Sequence, residues 1–151
     1  MSTEQMARRL TDIEEIKQLK ARYFRNIDTK NWKGYRECFA DDFKFFGNED
    51  VKPMVVGGDE YVAWAARLYP VGGARTMHHG HNPEIEVTSE RTATGIWSLG
   101  SRTLGADGKE ETLSRGGATF YYEEYEKGSD GKWRIKQSRI RSSGPMPPML
   151  K

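Results

Sequence analysis

The stretch that decides the fold runs His78-His79-Gly80-His81-Asn82-Pro83-Glu84-Ile85-Glu86-Val87-Thr88, then Ser89-Glu90-Arg91, then Thr92-Ala93-Thr94-Gly95-Ile96-Trp97. Two extended runs flank a polar, turn-like tripeptide, and apolar side chains recur at every second position, the period of strands. Strands are predicted at His78 to Thr88, Thr92 to Thr103, Glu110 to Tyr125 and Lys132 to Ser142, with turns at Ser89-Glu90-Arg91, Ala106-Asp107-Gly108 and Ser129-Asp130-Gly131. Gly116-Gly117 inside the third run predicts a bulge or sharp bend.

Upstream of Gly72-Gly73 the period is helical. Leu10, Ile13, Ile16, Leu19, Tyr23 and Ile27 recur at steps of three and four, predicting an amphipathic helix from about Glu4 to Asp28. Its other side, with Glu14, Glu15, Lys17, Lys20, Arg22 and Arg25, reads as a solvated face. Asn31 can cap a second helix through Trp32, Tyr35 and Phe39, ending near Asp41-Asp42, before a short strand from Phe43 to Phe46. After Gly57-Gly58, Asp59 can cap a third helix carrying Tyr61, Val62, Trp64, Ala65 and Leu68 and ending before Pro70. Helices first and strands afterwards predict an α+β domain, its helices covering the concave face of a curved, mostly antiparallel sheet. The domain is expected at residues 1–142, with an extended Pro-rich tail at 143–151.

With 151 residues, 24 Lys and Arg against 22 Asp and Glu, and a net charge of +2, no basic face for nucleic acid stands out. No apolar run has the length of a signal peptide or a membrane span. The lone Cys38 has no partner for a disulfide and reads as a small buried residue in a helix. These features predict a soluble protein of the reducing cytoplasm, without nucleic-acid or membrane partners.

All three histidines fall in one tetrapeptide-length run, which points to proton transfer or metal binding there. Alternation sets His79 and His81 on one face and His78 with Asn82 on the other. Projection from Ile85 and Val87 puts His79 and His81 on the apolar side, but Pro83 can mark a bulge that switches the register, so all three stay candidates. Adjacent and alternating histidines do not wrap a tetrahedral ion, and no second His or Cys group exists to complete the shell, so no metal is expected. Tyr23 and Asp28 differ by about 140° around a helix and share a pocket only if the helix end turns inward. In the last strand Trp133, Ile135, Gln137, Arg139 and Arg141 share one face by alternation, so the two arginines line either a pocket or a solvated rim. Phosphate-loop, dinucleotide and nucleophile-elbow motifs are absent from the sequence.

The run Ile13-Glu14-Glu15-Ile16-Lys17-Gln18-Leu19-Lys20-Ala21-Arg22-Tyr23-Phe24-Arg25-Asn26-Ile27-Asp28, followed by Trp32, resembles the opening of SnoaL-like proteins in the NTF2-like superfamily. Met77 to Val87, Thr92 to Trp97, Gly116-Gly117-Ala118 and the Tyr125-Glu126-Lys127 to Trp133 segment extend the resemblance, which is nearest to bacterial bile acid 7α-dehydratases and related cofactor-independent lyases. It implies a cone-shaped sheet around a deep apolar pocket, in a homodimer or homotrimer. It also implies catalysis by His78, Asp28 and Tyr23 without a cofactor: Asp28 holds one nitrogen of His78, the other nitrogen is the base, and Tyr23 donates to a substrate oxygen. A further acidic residue of that pattern falls near Ser101, where the carboxylate is absent. Either Arg139 or Arg141 matches its late arginine. The implied reaction is loss of water from a hydrophobic, hydroxylated aromatic or polycyclic compound, as in aromatic catabolism. The alternatives are loss of formaldehyde from a lignin-derived diarylpropane diol to give a stilbene, and a non-catalytic binding module. Trp97, Tyr61, Trp64, Tyr121 and Phe120 are the expected aromatic wall, with His79, His81, Arg139 and Arg141 as further substrate contacts.

Overall fold

The structure, a computed structural model, describes residues 1–48, 50–105, 107–111 and 118–144; Gly116-Gly117 and the tail from Pro145 onward lie outside the described residues. Helix α1 runs Thr3–Asp28 and opens with a capping box in which Ser2 and Gln5 satisfy each other's backbone N–H groups. Ile16, Leu19, Tyr23, Phe24 and Ile27 form its buried stripe. Two sequence assignments reverse. Leu10 is exposed, as are nearly all residues of the first turns, whereas Lys20 is buried with the stripe. Asp12 is buried too, held by Trp133 Nε1 at 3.0 Å and by Lys127.

Helix α2 is shorter than its periodicity predicts, Trp32–Arg36, capped as expected by Asn31. Phe39 belongs instead to strand β1, Phe39–Phe46. The ladder captures the chain early: the Cys38 carbonyl already accepts from Ile135 N–H at 2.8 Å. Cys38 is buried, as expected, but lies between helix and strand. After the two-residue strand β2, Val55–Val56, helix α3 spans Gly58–Leu68. Its N-cap is Gly57, at φ 103, in place of Asp59, whose carboxylate is taken by Arg36 Nε at 2.7 Å.

Strands β3 (Arg75–Val87), β4 (Thr92–Leu104), β5 (Glu110–Glu111), β6 (Thr119–Lys127) and β7 (Trp133–Ser142) match the four predicted runs, the third being divided into β5 and β6. They build one open mixed sheet in the order β2-β1-β7-β6-β4-β3, with β5 also on β4. All pairs are antiparallel except β1 with β7. The helices pack against this sheet over a core rich in aromatic rings, as an α+β cone requires. Among the described residues no helix is long and apolar enough to cross a membrane.

Two bulges decide which side chains face that core. In β3 the register against β4 shifts between His81 and Glu84, with Asn82 in the left-handed region at φ 48 just before Pro83. Inward positions therefore change from even (Thr76, His78, Gly80) to odd (Pro83, Ile85, Val87). In β7 a shift between Ile135 and Gln137 has the same effect, and burial passes from Trp133 and Ile135 to Ser138 and Ile140.

Candidate active site

Asp28 is the last residue of α1, where the helix ends against the start of β3. Its Oδ1 lies 2.7 Å from His78 Nδ1 and accepts from Thr76 Oγ1 at 2.9 Å, while Oδ2 accepts the backbone N–H of His78 at 2.8 Å. One carboxylate thus grips both the main chain and the ring of the same histidine. A carboxylate only accepts, so in neutral His78 the proton sits on Nδ1 and the lone pair on Nε2. The imidazole side chain is 7% exposed, stacked parallel to Phe24 at 6.5 Å and met edge-on by Tyr69 at 6.1 Å. Gly80 permits this packing, since a Cβ there would lie 2.7 Å from the Phe24 ring and 3.0 Å from Trp97.

Beside the pair lies a cluster of buried phenols. Tyr23 packs against Tyr35 and Tyr121, and Tyr35 against Tyr61. Burial pushes the Tyr23 and Tyr121 phenols well above their ordinary range, and Tyr61 up to about 12 although the hydroxyls of Tyr23 and Tyr35 oppose that shift. All three remain hydrogen-bond donors at neutral pH. Tyr35 Oη and Thr103 Oγ1 are buried without a hydrogen-bond partner, and Thr103 stands directly across the sheet from Thr76. Beneath the phenols, Lys20 Nζ lies 4.0 Å from the ring centre of Tyr23 and 3.7 Å from that of Tyr121, paired with Glu123 at 2.5 Å. Tyr125 donates to the same carboxylate and accepts from Trp97 Nε1 at 2.8 Å. A cleft of about 360 Å³ between α1 and β3 reaches His78, Phe24, Lys20 and Trp97.

The sequence model of the SnoaL-like domain matches residues 8–139. The chain belongs to the SnoaL-like family. Among solved structures, the D26N variant of Rv3472, a function-unknown protein from Mycobacterium tuberculosis, shares 26% identity over 96% of this chain and 78% of its own, with a TM-score of 0.76. The hexachlorocyclohexane dehydrochlorinase LinA-type3 of Novosphingobium barchaimii LL02 shares 18% identity, covering 93% and 92% of the two chains, at a TM-score of 0.74. ActVI-ORFA from Streptomyces coelicolor shares 15%, covering 87% and 96%, at 0.71. The last two likenesses concern the fold.

In this SnoaL-like protein the structure joins Asp28 and His78 directly. Tyr23 stands one ring away, edge-on to Phe24 at 5.2 Å, within the phenol cluster. Trp97, Tyr61 and Tyr121 face the core, and half-buried Trp64 stacks on Tyr61 at 5.5 Å. Of the remaining candidates, His79 borders the same cleft as His78 but does not face the core, and the others lie elsewhere. His79 and His81 stack on each other at 5.9 Å and are exposed, because the bulge at Asn82 reverses the face that Ile85 and Val87 predict. The bulge in β7 likewise sends Arg139 and Arg141 to the outer sheet face, where they border an open groove with Tyr122 and Glu124. Arg139 there donates to the carbonyls of Gly47 and Asp50. Phe120 alternates with Tyr121 and so also leaves the wall. Ser101 is the cross-strand partner of His78. Sequence reasoning missed Thr76, Tyr69, Lys20 and Glu123, though periodicity places three of them: Thr76 two residues before His78, Glu123 between Tyr121 and Tyr125, and Lys20 on the stripe with Ile16 and Tyr23.

Proposed function

We propose that this protein is a lyase in which His78 is the general base, Asp28 orients it, and buried tyrosine hydroxyls receive the negative charge that develops on the substrate. The observation that carries this reading is the double grip of Asp28 on the Nδ1 and the main-chain N–H of His78. It leaves Nε2 as the proton acceptor, the arrangement that general-base catalysis needs. A carbon-bound proton passes to Nε2, its electron pair becomes the new double bond, and a hydroxyl on the neighbouring carbon leaves as water, carrying off the proton that Nε2 gives back. Tyr23 and Tyr121 supply donors where an adjacent carbonyl gathers charge. The aromatic surroundings of Trp97, Tyr61 and Phe24 favour a hydrophobic aromatic or polycyclic substrate. No step calls for a cofactor. Elimination is preferred to loss of formaldehyde because the dehydrochlorinase, by its name an elimination catalyst, uses this fold. The site lies within one chain, and assembly into a dimer or trimer is part of the proposal only as the family resemblance implies it.

The test is turnover followed by mass spectrometry on a panel of hydroxylated steroids and diarylpropane diols, with wild type and His78→Ala side by side. His78-dependent loss of water supports the reading. Loss of formaldehyde replaces the leaving group, and ligand binding without turnover in either protein overturns the enzyme.

A further inference from the structure

Helix α1 ends in a Schellman motif: Asn31 N–H reaches the Asn26 carbonyl at 2.9 Å, and Lys30 N–H reaches that of Ile27 at 3.2 Å. The residue in the left-handed position of such a motif is usually glycine, yet here it is Lys30, at φ 58. A lysine tolerates this backbone poorly, so its side chain calls for an explanation. That side chain turns back over the helix end and is half-buried. Its ammonium lies 3.5 Å from Thr76 Oγ1 and 4.9 Å from the centre of the Tyr69 ring. Thr76 and Tyr69 are the two side chains that hold the Asp28 carboxylate and the His78 ring. Because Lys30 only donates, Thr76 Oγ1 must accept from it and point its own proton at Asp28 Oδ1. Burial draws the ammonium below its ordinary range, and the charge of Asp28 pushes it back up. The other side of Lys30 faces an open cleft of about 690 Å³ that Asp28 and the Pro70–Gly73 turn also line, so the lysine and the carboxylate share one border of that cleft.

We propose that Lys30 is a positioning residue for the Asp28–His78 pair, orienting the carboxylate through the Thr76 hydroxyl, a role that rests on the reading of His78 as the base. It touches neither substrate nor the reacting atoms. Lys30→Gly separates this role from a structural one, because glycine suits the left-handed backbone and leaves stability unchanged or raised. Two readouts follow. The first is the exchange lifetime of the His78 Nδ1 proton, measured by NMR on the full chain without substrate and assigned by its loss in His78→Ala. The second is kcat against KM on whichever substrate turns over.

Lys30→Gly is expected to speed that exchange about tenfold and lower kcat about tenfold, within the range for groups that orient a functional side chain, while KM stays within about twofold. Thr76→Val should match it, the double variant should add little, and Lys30→Arg should restore most of the loss. An unchanged exchange lifetime in Lys30→Gly, or losses in Lys30→Gly and Thr76→Val that multiply, overturns the role of Lys30 and leaves the dyad standing. Absence of a protected Nδ1 proton in wild type overturns the dyad reading itself, and this role with it.

Discussion

Glu123→Gln removes the counter-charge of a fully enclosed ammonium. Both side chains of the Lys20–Glu123 pair are at most 1% exposed, and Lys20 Nζ is met by the rings of Tyr23, Phe24 and Tyr121 as well as by Glu123. Breaking one side of such a pair costs about 3–5 kcal/mol, a large fraction of a typical domain's stability of about 5–15 kcal/mol. At roughly 2–4 °C per kcal/mol for a chain of this size, the midpoint should fall by about 6–20 °C. Replacing both partners, as Lys20→Met with Glu123→Leu, removes both charges. It orphans the donors that Tyr125 and Ser138 direct at Glu123, at about 1–3 kcal/mol each, but leaves no uncompensated charge, so the double variant should be more stable than the single. Burial holds the Lys20 ammonium below the ordinary lysine range, and Glu123 opposes that shift. Without Glu123 the native state releases the Lys20 proton before the unfolded chain does. Unfolded chains then bind more protons over that interval, so the deficit of Glu123→Gln should shrink as pH rises towards the ordinary lysine value of 10.5. Urea unfolding from pH 6 to 10 measures each quantity. A single variant within about 1 kcal/mol of wild type, or a double variant less stable than the single, refutes the reasoning.

Asp28→Asn offers an amide where two donors of His78 need acceptors, so it should favour the wrong tautomer and lower kcat by about 10³–10⁴ with the fold retained, checked by turnover and circular dichroism. Gly80→Ala drives a methyl into Phe24 and Trp97 and should cost about 1–3 kcal/mol in denaturant unfolding while disturbing the ring stacked on His78. Arg141→Ala lies on the outer sheet face and should leave kcat/KM within about twofold. The buried phenols ionise later in the folded than in the unfolded protein, with Tyr61 near 12 against an ordinary 10.0. Their stabilisation is therefore complete below pH 10 and lost as pH rises towards 12, and absorbance at the phenolate band should climb together with unfolding.

The order of helices and strands was legible because amphipathic periods of 3.6 and 2 survive in the chain wherever one face meets the core. So was the pair of Asp28 and His78, though only through resemblance: spacing alone left three histidines in play. What periodicity could not reveal is the parity change at Asn82-Pro83 and at Lys136. A single extra residue on one strand moves every later side chain to the opposite face, and this carries His79, His81, Arg139 and Arg141 away from the core; Pro83 marked the first of these places as a possible bulge, and nothing marked the second. Lys20 was misread for another reason. Charge patterning treats a lysine as a solvated residue, and the acid that neutralises it lies 103 positions away. Phe39 was assigned to a helix because its spacing from Tyr35 is helical, but pairing with β7 outweighs local propensity.

The most direct test of the account is the His78-dependence of elimination. Wild type, His78→Ala and Asp28→Asn would be compared by mass spectrometry on a hydroxylated aromatic or polycyclic substrate deuterated at the carbon adjacent to the one that bears the leaving hydroxyl. The account predicts loss of water from wild type, slowed by deuterium and abolished in His78→Ala. Turnover that survives in His78→Ala, or proceeds without release of that deuterium, would contradict the assignment of His78 as the base.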